Sequence, residues 1–116
     1  MKFKLIIALV SDDITDTIMK AAREGGATGC TVLNNARGEG LKKTKTFLGL
    51  NLAGARDVVL TLVESHLSRQ ILEIMNEAGQ FEEKPGSGIA FQLDIEDAIG
   101  LTSQISTIQT EIHDKI

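Results

Sequence analysis

Tryptophan and tyrosine are absent from this chain of 116 residues, and phenylalanine occurs only four times. A hydrophobic core must therefore be built from isoleucine, leucine, valine and alanine. The single cysteine, Cys30, excludes an intrachain disulfide and a zinc site with several thiolates. The apolar run within residues 1–10 is too short to span a bilayer and lacks a small-residue cleavage site, so it is interpreted as a buried strand of a cytoplasmic protein.

Charge and length narrow the classes of function further. The chain carries a net charge of −4, which argues against binding to nucleic acid. Its length fits one domain with a modest core. Neither histidine, His66 or His113, has a cysteine or carboxylate at metal-ligand spacing, and no nucleophile, base and orienting group form a set. We therefore expect no metal site and no catalytic residues, so the protein is interpreted as not being an enzyme.

Hydrophobic periodicity predicts four strands and two helices. The strands are expected at residues 3–10, 31–33, 57–63 and 89–95, and the helices at 14–24 and 65–79. Ser11, Asp12 and Asp13 are expected to supply cap oxygens for the first helix, and Ser65 for the second. The order β-α-β-β-α-β predicts an α+β protein with the ferredoxin-like fold, in which two helices lie on one face of an antiparallel sheet.

The last predicted strand is preceded by Gly86-Ser87-Gly88. Large apolar residues alternate with smaller or polar ones through residues 89–95, which predicts a strand with one buried face. The two glycines allow positive φ, so the backbone N–H groups can turn inward and form an anion-binding nest. A plain turn is the alternative interpretation, and the tripeptide alone does not separate the two.

A long connection, residues 37–56, joins the second and third predicted strands. It holds five of the twelve lysines and arginines but only one acidic residue, so it is locally basic in an acidic protein. A long basic loop with apolar residues suggests docking on a partner or an anionic ligand. The alternative is a long hairpin with solvated lysines. The residues expected to contact a partner are Lys42, Lys43, Lys45, Phe47 and Leu48.

Three motifs resemble the P-II signal-transduction superfamily, the trimeric nitrogen-regulatory proteins and their P-II-like relatives. They are Gly26-Ala-Thr-Gly-Cys-Thr-Val32, Arg37-Gly-Glu-Gly40, and Gly86-Ser-Gly-Ile-Ala-Phe91 followed by Asp94-Ile-Glu-Asp-Ala-Ile99. The resemblance implies a P-II-like domain at residues 1–101, with a T-loop-like insertion at 37–56 and a C-terminal tail at 102–116. It also implies a homotrimer with nucleotide-binding clefts between its subunits.

The resemblance further implies which residues bind an adenine nucleotide. Family positions in the cleft, at the loop base and in the glycine-rich loop correspond to Gly29, Thr31, Arg37, Gly38, Gly40, Gly86, Ser87 and Gly88. No cofactor is required, and the effector is expected to be AMP, ADP, ATP or a cyclic adenylyl nucleotide. Ligand binding would change the loop conformation and so control a target protein, with a membrane transporter suggested by family analogy.

Departures from the family pattern change the expected ligand. The family lysine that contacts phosphate falls on Ile89, and two phosphate-binding arginines fall on Gly100 and Thr102. Each lost charge-assisted contact forfeits roughly 1.5–3 kcal/mol, so we expect a nucleoside mono- or diphosphate rather than Mg-ATP. The loop is also shorter than in nitrogen regulators, and without tyrosine it has no residue for tyrosine uridylylation.

Two functions of different classes remain open. The first is a regulator that senses a nucleotide between subunits and signals through residues 37–56. The alternative within this class is a trimer whose cleft has degenerated and no longer binds a nucleotide. The second is a metal-binding trimer resembling the divalent-cation-tolerance proteins, which share the ferredoxin-like fold. The lack of a metal-ligand cluster and the length of the loop count against the second.

Overall fold

The computed structural model describes residues 2–37, 46–47, 50–51 and 56–101. The elements in chain order are β1 (Phe3–Ser11), α1 (Thr15–Glu24), β2 (Thr31–Ala36), β3 (Thr46–Phe47), β4 (Leu50–Asn51), β5 (Arg56–Glu64), α2 (Ser65–Gly79) and β6 (Gly88–Asp94). Four strands form one antiparallel sheet in the order β2-β5-β1-β6, and the two helices pack on one face of it. The predicted ferredoxin-like fold is confirmed.

The long connection contains a short ladder of its own. β3 pairs with β4 in an antiparallel register, separate from the main sheet. β5 begins at Arg56, one residue before the predicted start, and the ladder of residues 46–47 and 50–51 is not part of the sheet that contains β5. The antiparallel pairing of these four residues is a short hairpin, and residues 52–55, where an extension of the third strand would lie, are outside the described ranges.

The core lies between the sheet and the helices. Ile6, Ala8 and Val10 of β1 are fully buried on the helix side, because alternate residues of a strand point to the same face. Ile71 and Met75 of α2 belong to the same buried cluster. Branched aliphatic residues thus fill the space that aromatic residues would occupy in a chain richer in them.

The opposite face of the sheet carries neither α1 nor α2 and is apolar. We call it the open face. Its side chains come from alternate positions of four strands in register: Leu5, Ile7, Leu9, Leu33, Val58, Leu60, Leu62, Ile89, Phe91 and Leu93. Leu33, Phe91 and Leu93 are 52%, 38% and 47% exposed. The large residues of β6 therefore lie on the side away from the helices, and the smaller Ala90 packs against the core.

The helix caps differ from the predicted ones. Ile14 occupies the N-cap position of α1, and its side chain supplies no cap hydrogen bond, so the cap predicted at Ser11–Asp13 was placed too early. Glu64, rather than Ser65, is the N-cap of α2. Its buried carboxylate accepts a hydrogen bond from the His66 N–H at 2.7 Å and lies 2.6 Å from His66 Nδ1.

Replacing Glu64 with alanine is expected to lower the free energy of unfolding by about 0.5–2 kcal/mol, because it removes the acceptor from the first turn of α2. Glu64→Gln keeps one acceptor oxygen and is expected to lose less. Glu77→Ala, at an exposed position of the same helix, is the control. Urea unfolding measures the three values, and equal losses for Glu64→Ala and Glu77→Ala would contradict the capping role.

Candidate functional site

A cleft of about 350 Å³ lies between the segment that precedes β6, the start of β5 and the segment that precedes α1. We call it the loop-base cleft, because β5 begins where the long connection ends. Its charged lining residues are Asp13, Arg56 and Lys84. Two cations and one carboxylate give the cleft a net positive lining, which suits a small anion.

Residues 84–87 form the turn on one side of this cleft. The Ser87 N–H donates to the Lys84 carbonyl at 3.1 Å, and Gly86 has a φ of +83°. Proline at the second position and a positive-φ glycine at the third are the features of a type II turn. The turn is fixed to its neighbours by two further bonds: the Ser87 hydroxyl donates to the Gln80 carbonyl at 3.3 Å, and the Ser11 N–H donates to the Ser87 carbonyl at 3.1 Å.

This turn changes how the Gly86-Ser87-Gly88 motif is understood. The N–H and hydroxyl groups of Ser87 both donate within the protein, and Gly88 already pairs with Val10 in the sheet. The exposed side chain of Lys84 is therefore better placed to attract an anion than the Ser87 amide. The nucleotide-binding role of these three residues stays a prediction.

Phe81 fixes the position of the turn. A Cβ atom built on Gly79 would lie 2.4 Å from Phe81 Cε1, and one built on Gly88 would lie 2.6 Å from the same atom. The ring thus lies against the last residue of α2 and the first residue of β6, where only glycine leaves room. This contact sets the distance between the helix and the edge strand, and with it the place of Lys84.

The other predicted binding residues lie elsewhere in the chain. Gly29, in the segment before β2, and Thr31, its first residue, are both exposed, and Thr31 lies on the open face opposite Leu60. Arg37 is exposed and directly follows Ala36, which pairs with Arg56 at the cleft. Phe47 lies in β3. The remaining predicted residues are outside the described ranges: Gly38, Gly40, Lys42, Lys43, Lys45 and Leu48.

Sequence reasoning missed Asp57 as a residue of interest. Asp57 is only 8% exposed, and its carboxylate accepts hydrogen bonds from Thr15 Oγ1 at 2.6 Å and from the Asn35 N–H at 3.3 Å. An acidic residue opening an otherwise apolar strand was the one local signal. Arg56 beside it is also buried, although the sequence analysis placed it at the end of the long connection.

The part of the chain that the structure describes contains no group of three histidine, cysteine, aspartate or glutamate residues that could hold a metal ion. Cys30 accepts a hydrogen bond from Thr61 Oγ1 at 2.7 Å, and His66 contacts the cap carboxylate of Glu64. Among the same residues, no helix has both the length and the apolar character needed to cross a membrane.

Several solved structures share the fold. CPII from Thiomonas intermedia K12, bound to ADP, AMP and acetate, is 22% identical, with a TM-score of 0.64 over 84% of this chain and 89% of that chain. A second CPII structure, with ADP, AMP and bicarbonate, is 20% identical, with a TM-score of 0.61 over 82% and 87%. A PII-like signaling protein from Thermus thermophilus is 18% identical, with a TM-score of 0.60 over 82% and 88%. No curated protein shows significant similarity in sequence.

The sequence itself matches a protein family over most of its length. Residues 3–104 match the family described as nitrogen regulatory protein P-II. The matched range contains both helices and all four strands of the main sheet, together with the loop-base cleft. The resemblance carried by the three sequence motifs is therefore confirmed, and this chain belongs to the P-II family of nitrogen regulatory proteins.

Proposed function

We propose that this protein is a regulator that senses an adenine nucleoside mono- or diphosphate in clefts between the subunits of a homotrimer. The observation that carries the proposal is the loop-base cleft, which Arg56 and Lys84 both line at the point where the long connection enters the sheet. A ligand held there would lie beside the loop base, so its binding energy can favour one loop conformation over another.

The charges of the cleft favour a short phosphate chain. A terminal phosphate carries about −1.5 to −2 charges at pH 7. Arg56 and Lys84 exceed Asp13 by a single positive charge, so the cleft suits one phosphate group better than a long phosphate chain. A triphosphate would need further cations, and the family positions that supply them are Ile89, Gly100 and Thr102 here. The related CPII structures contain ADP and AMP, which agrees with this preference.

The open face supports a homotrimer. An apolar sheet face of this size is normally covered by another element or another subunit. A second copy of this chain is the partner that the P-II resemblance implies. The proposed sensing site requires that each loop-base cleft also lie near a subunit boundary of this trimer.

The output of the regulator is assigned to residues 37–56. Their basic and apolar composition suits docking on a target protein, and a cytoplasmic membrane transporter is the target that the family suggests. Deletion of residues 42–52 should abolish target binding while leaving nucleotide affinity within a few fold, because the cleft residues Arg56 and Lys84 are retained.

Calorimetry with AMP, ADP, Mg-ATP and cyclic AMP tests the sensing site. We expect AMP or ADP to bind more tightly than Mg-ATP. Lys84→Gln should weaken the preferred ligand roughly tenfold to a hundredfold, since it removes one charge-assisted contact. Lys20→Gln, on an exposed position of α1, is the control and should not change affinity. Absence of binding by every adenylate, or equal affinity in both variants, would contradict the proposal.

A further inference from the structure

β2 contains a bulge at the base of the long connection. Leu33 pairs with Val58 and Ala36 pairs with Arg56, so residues 33–36 of one strand lie opposite residues 56–58 of the other. One extra residue is therefore present on β2, and Asn35 within the bulge has a φ of +60°. Because side chains alternate between the two faces, an extra residue reverses the face taken by every residue that follows it.

The carboxylate of Asp57 holds this bulge in place. Asp57 Oδ1 accepts a hydrogen bond from the Asn35 N–H, and Oδ2 accepts one from the hydroxyl of Thr15. Thr15 is the first residue of α1 and follows Ile14, which lines the loop-base cleft. One carboxylate therefore joins the bulge, the start of the helix and the strand that begins with Arg56.

Burial makes these two hydrogen bonds important for the stability of the bulge. Both Asp57 and Thr15 are buried, and a buried carboxylate is tolerated only when donors satisfy it. Positive φ is uncommon for residues other than glycine, and asparagine adopts it at a lower cost than most. In this structure the bond from the Asn35 N–H to Asp57 fixes that conformation. Without the acceptor, β2 can relax to a regular register. Ala36 and Arg37 would then each move to the face of the sheet opposite to the one that it now occupies.

We infer that Asp57 is a positioning residue, which determines the face from which Arg37 leaves the sheet and thereby sets the ligand affinity of the loop-base cleft. The inference rests on the proposed function, because affinity for an adenylate is what the positioning serves. Asp57 does not line the cleft itself, so its effect on a ligand must pass through the bulge and the start of α1.

Three variants separate this role from a contribution to stability alone. Asp57→Asn keeps the size of the side chain but leaves one acceptor oxygen for two donors. Thr15→Val removes the hydroxyl donor and keeps the shape, and it provides the same test if Asp57→Asn does not fold. Asn35→Gly is the matched control, because glycine accepts positive φ and retains the backbone N–H that Asp57 binds.

The measurements are amide hydrogen exchange at residue 35, followed by NMR, and calorimetric affinity for AMP and ADP at a temperature where circular dichroism shows each variant folded. For Asp57→Asn we expect faster exchange and a loss of affinity of about tenfold or more, as for a lost hydrogen bond to a charged acceptor. Thr15→Val should also make exchange at residue 35 faster and ligand affinity lower, but by smaller amounts than Asp57→Asn. Asn35→Gly should leave affinity within about twofold, well below the effect of that lost bond.

Wild-type affinity in folded Asp57→Asn, with only a lower melting temperature, would overturn the inference. Unchanged exchange at residue 35 would overturn it as well. If the wild-type protein binds no adenylate, the proposed function fails. The role of Asp57 is then tested by amide exchange at residue 35 alone. Faster exchange in Asp57→Asn supports Asp57 as the residue that holds the loop base, and unchanged exchange rejects that role.

Discussion

Replacing Phe91 with aspartate is expected to convert the proposed trimer into folded monomers. Phe91 lies halfway along the edge strand β6, on the open face, where it pairs with Ile7 of β1. A subunit interface on this face would enclose the new carboxylate without a partner, at a cost of several kcal/mol for each ion. The fold of one subunit should survive, because Phe91 is 38% exposed and lies on the side away from α1 and α2.

Sedimentation equilibrium gives the oligomeric state of this variant, and circular dichroism checks its secondary structure. Gln70→Asp adds the same charge at an exposed position of α2 and should leave the assembly unchanged. A trimeric Phe91→Asp protein, or a wild-type protein that stays monomeric as its concentration is raised, would show that the open face does not join the subunits.

Replacing Ile71 with alanine should destabilise the protein by about 2–5 kcal/mol, the range for deleting a large aliphatic side chain from a close-packed core. Ile71 is 0% exposed and lies among the core residues shared by the sheet and the helices. Gly25 leaves little room for rearrangement, since a Cβ there would lie 2.9 Å from Ile71 Cγ1. A loss of this size is a large part of the roughly 5–15 kcal/mol that stabilises a typical domain.

Ile99→Ala is the matched control, because it deletes the same atoms from a side chain that is 97% exposed. We expect it to change stability by less than about 0.5 kcal/mol. Urea unfolding at one fixed protomer concentration gives both values, since assembly adds a concentration-dependent term to stability. Similar losses for the two variants would mean that the buried cluster around Ile71 is not what holds the fold together.

Most of the fold was predictable because its signals are local. The apolar alternation of β1 and β5 and the helical stripe through Leu67, Ile71 and Met75 each appear within a few residues of sequence. The face of β6 was not predictable in the same way. Period-2 alternation indicates that the two faces of a strand differ, but it does not indicate which face the helices cover when both faces of the sheet are apolar.

The candidate site was likewise predictable only where its signals are local in the sequence. Pro85 followed by Gly86 indicates a turn from two adjacent residues, and a turn is what the structure contains. Asp57 could not be understood from its neighbours, since its donors Thr15 and Asn35 are 42 and 22 residues away in the chain. The cap of α2 was displaced by one residue because Glu64, like Ser65, offers an acceptor oxygen, and local sequence does not rank the two.

The ring of Phe81 has a mechanical consequence for the segment that carries Lys84. It touches the residue where α2 stops and the residue where β6 starts, with no space left at either one. Movement of the helix along its axis would therefore be transmitted to the edge strand without being absorbed by bending between them. A fluorescent probe attached at exposed Glu83 should consequently report displacement of the helix rather than independent motion of a surface segment.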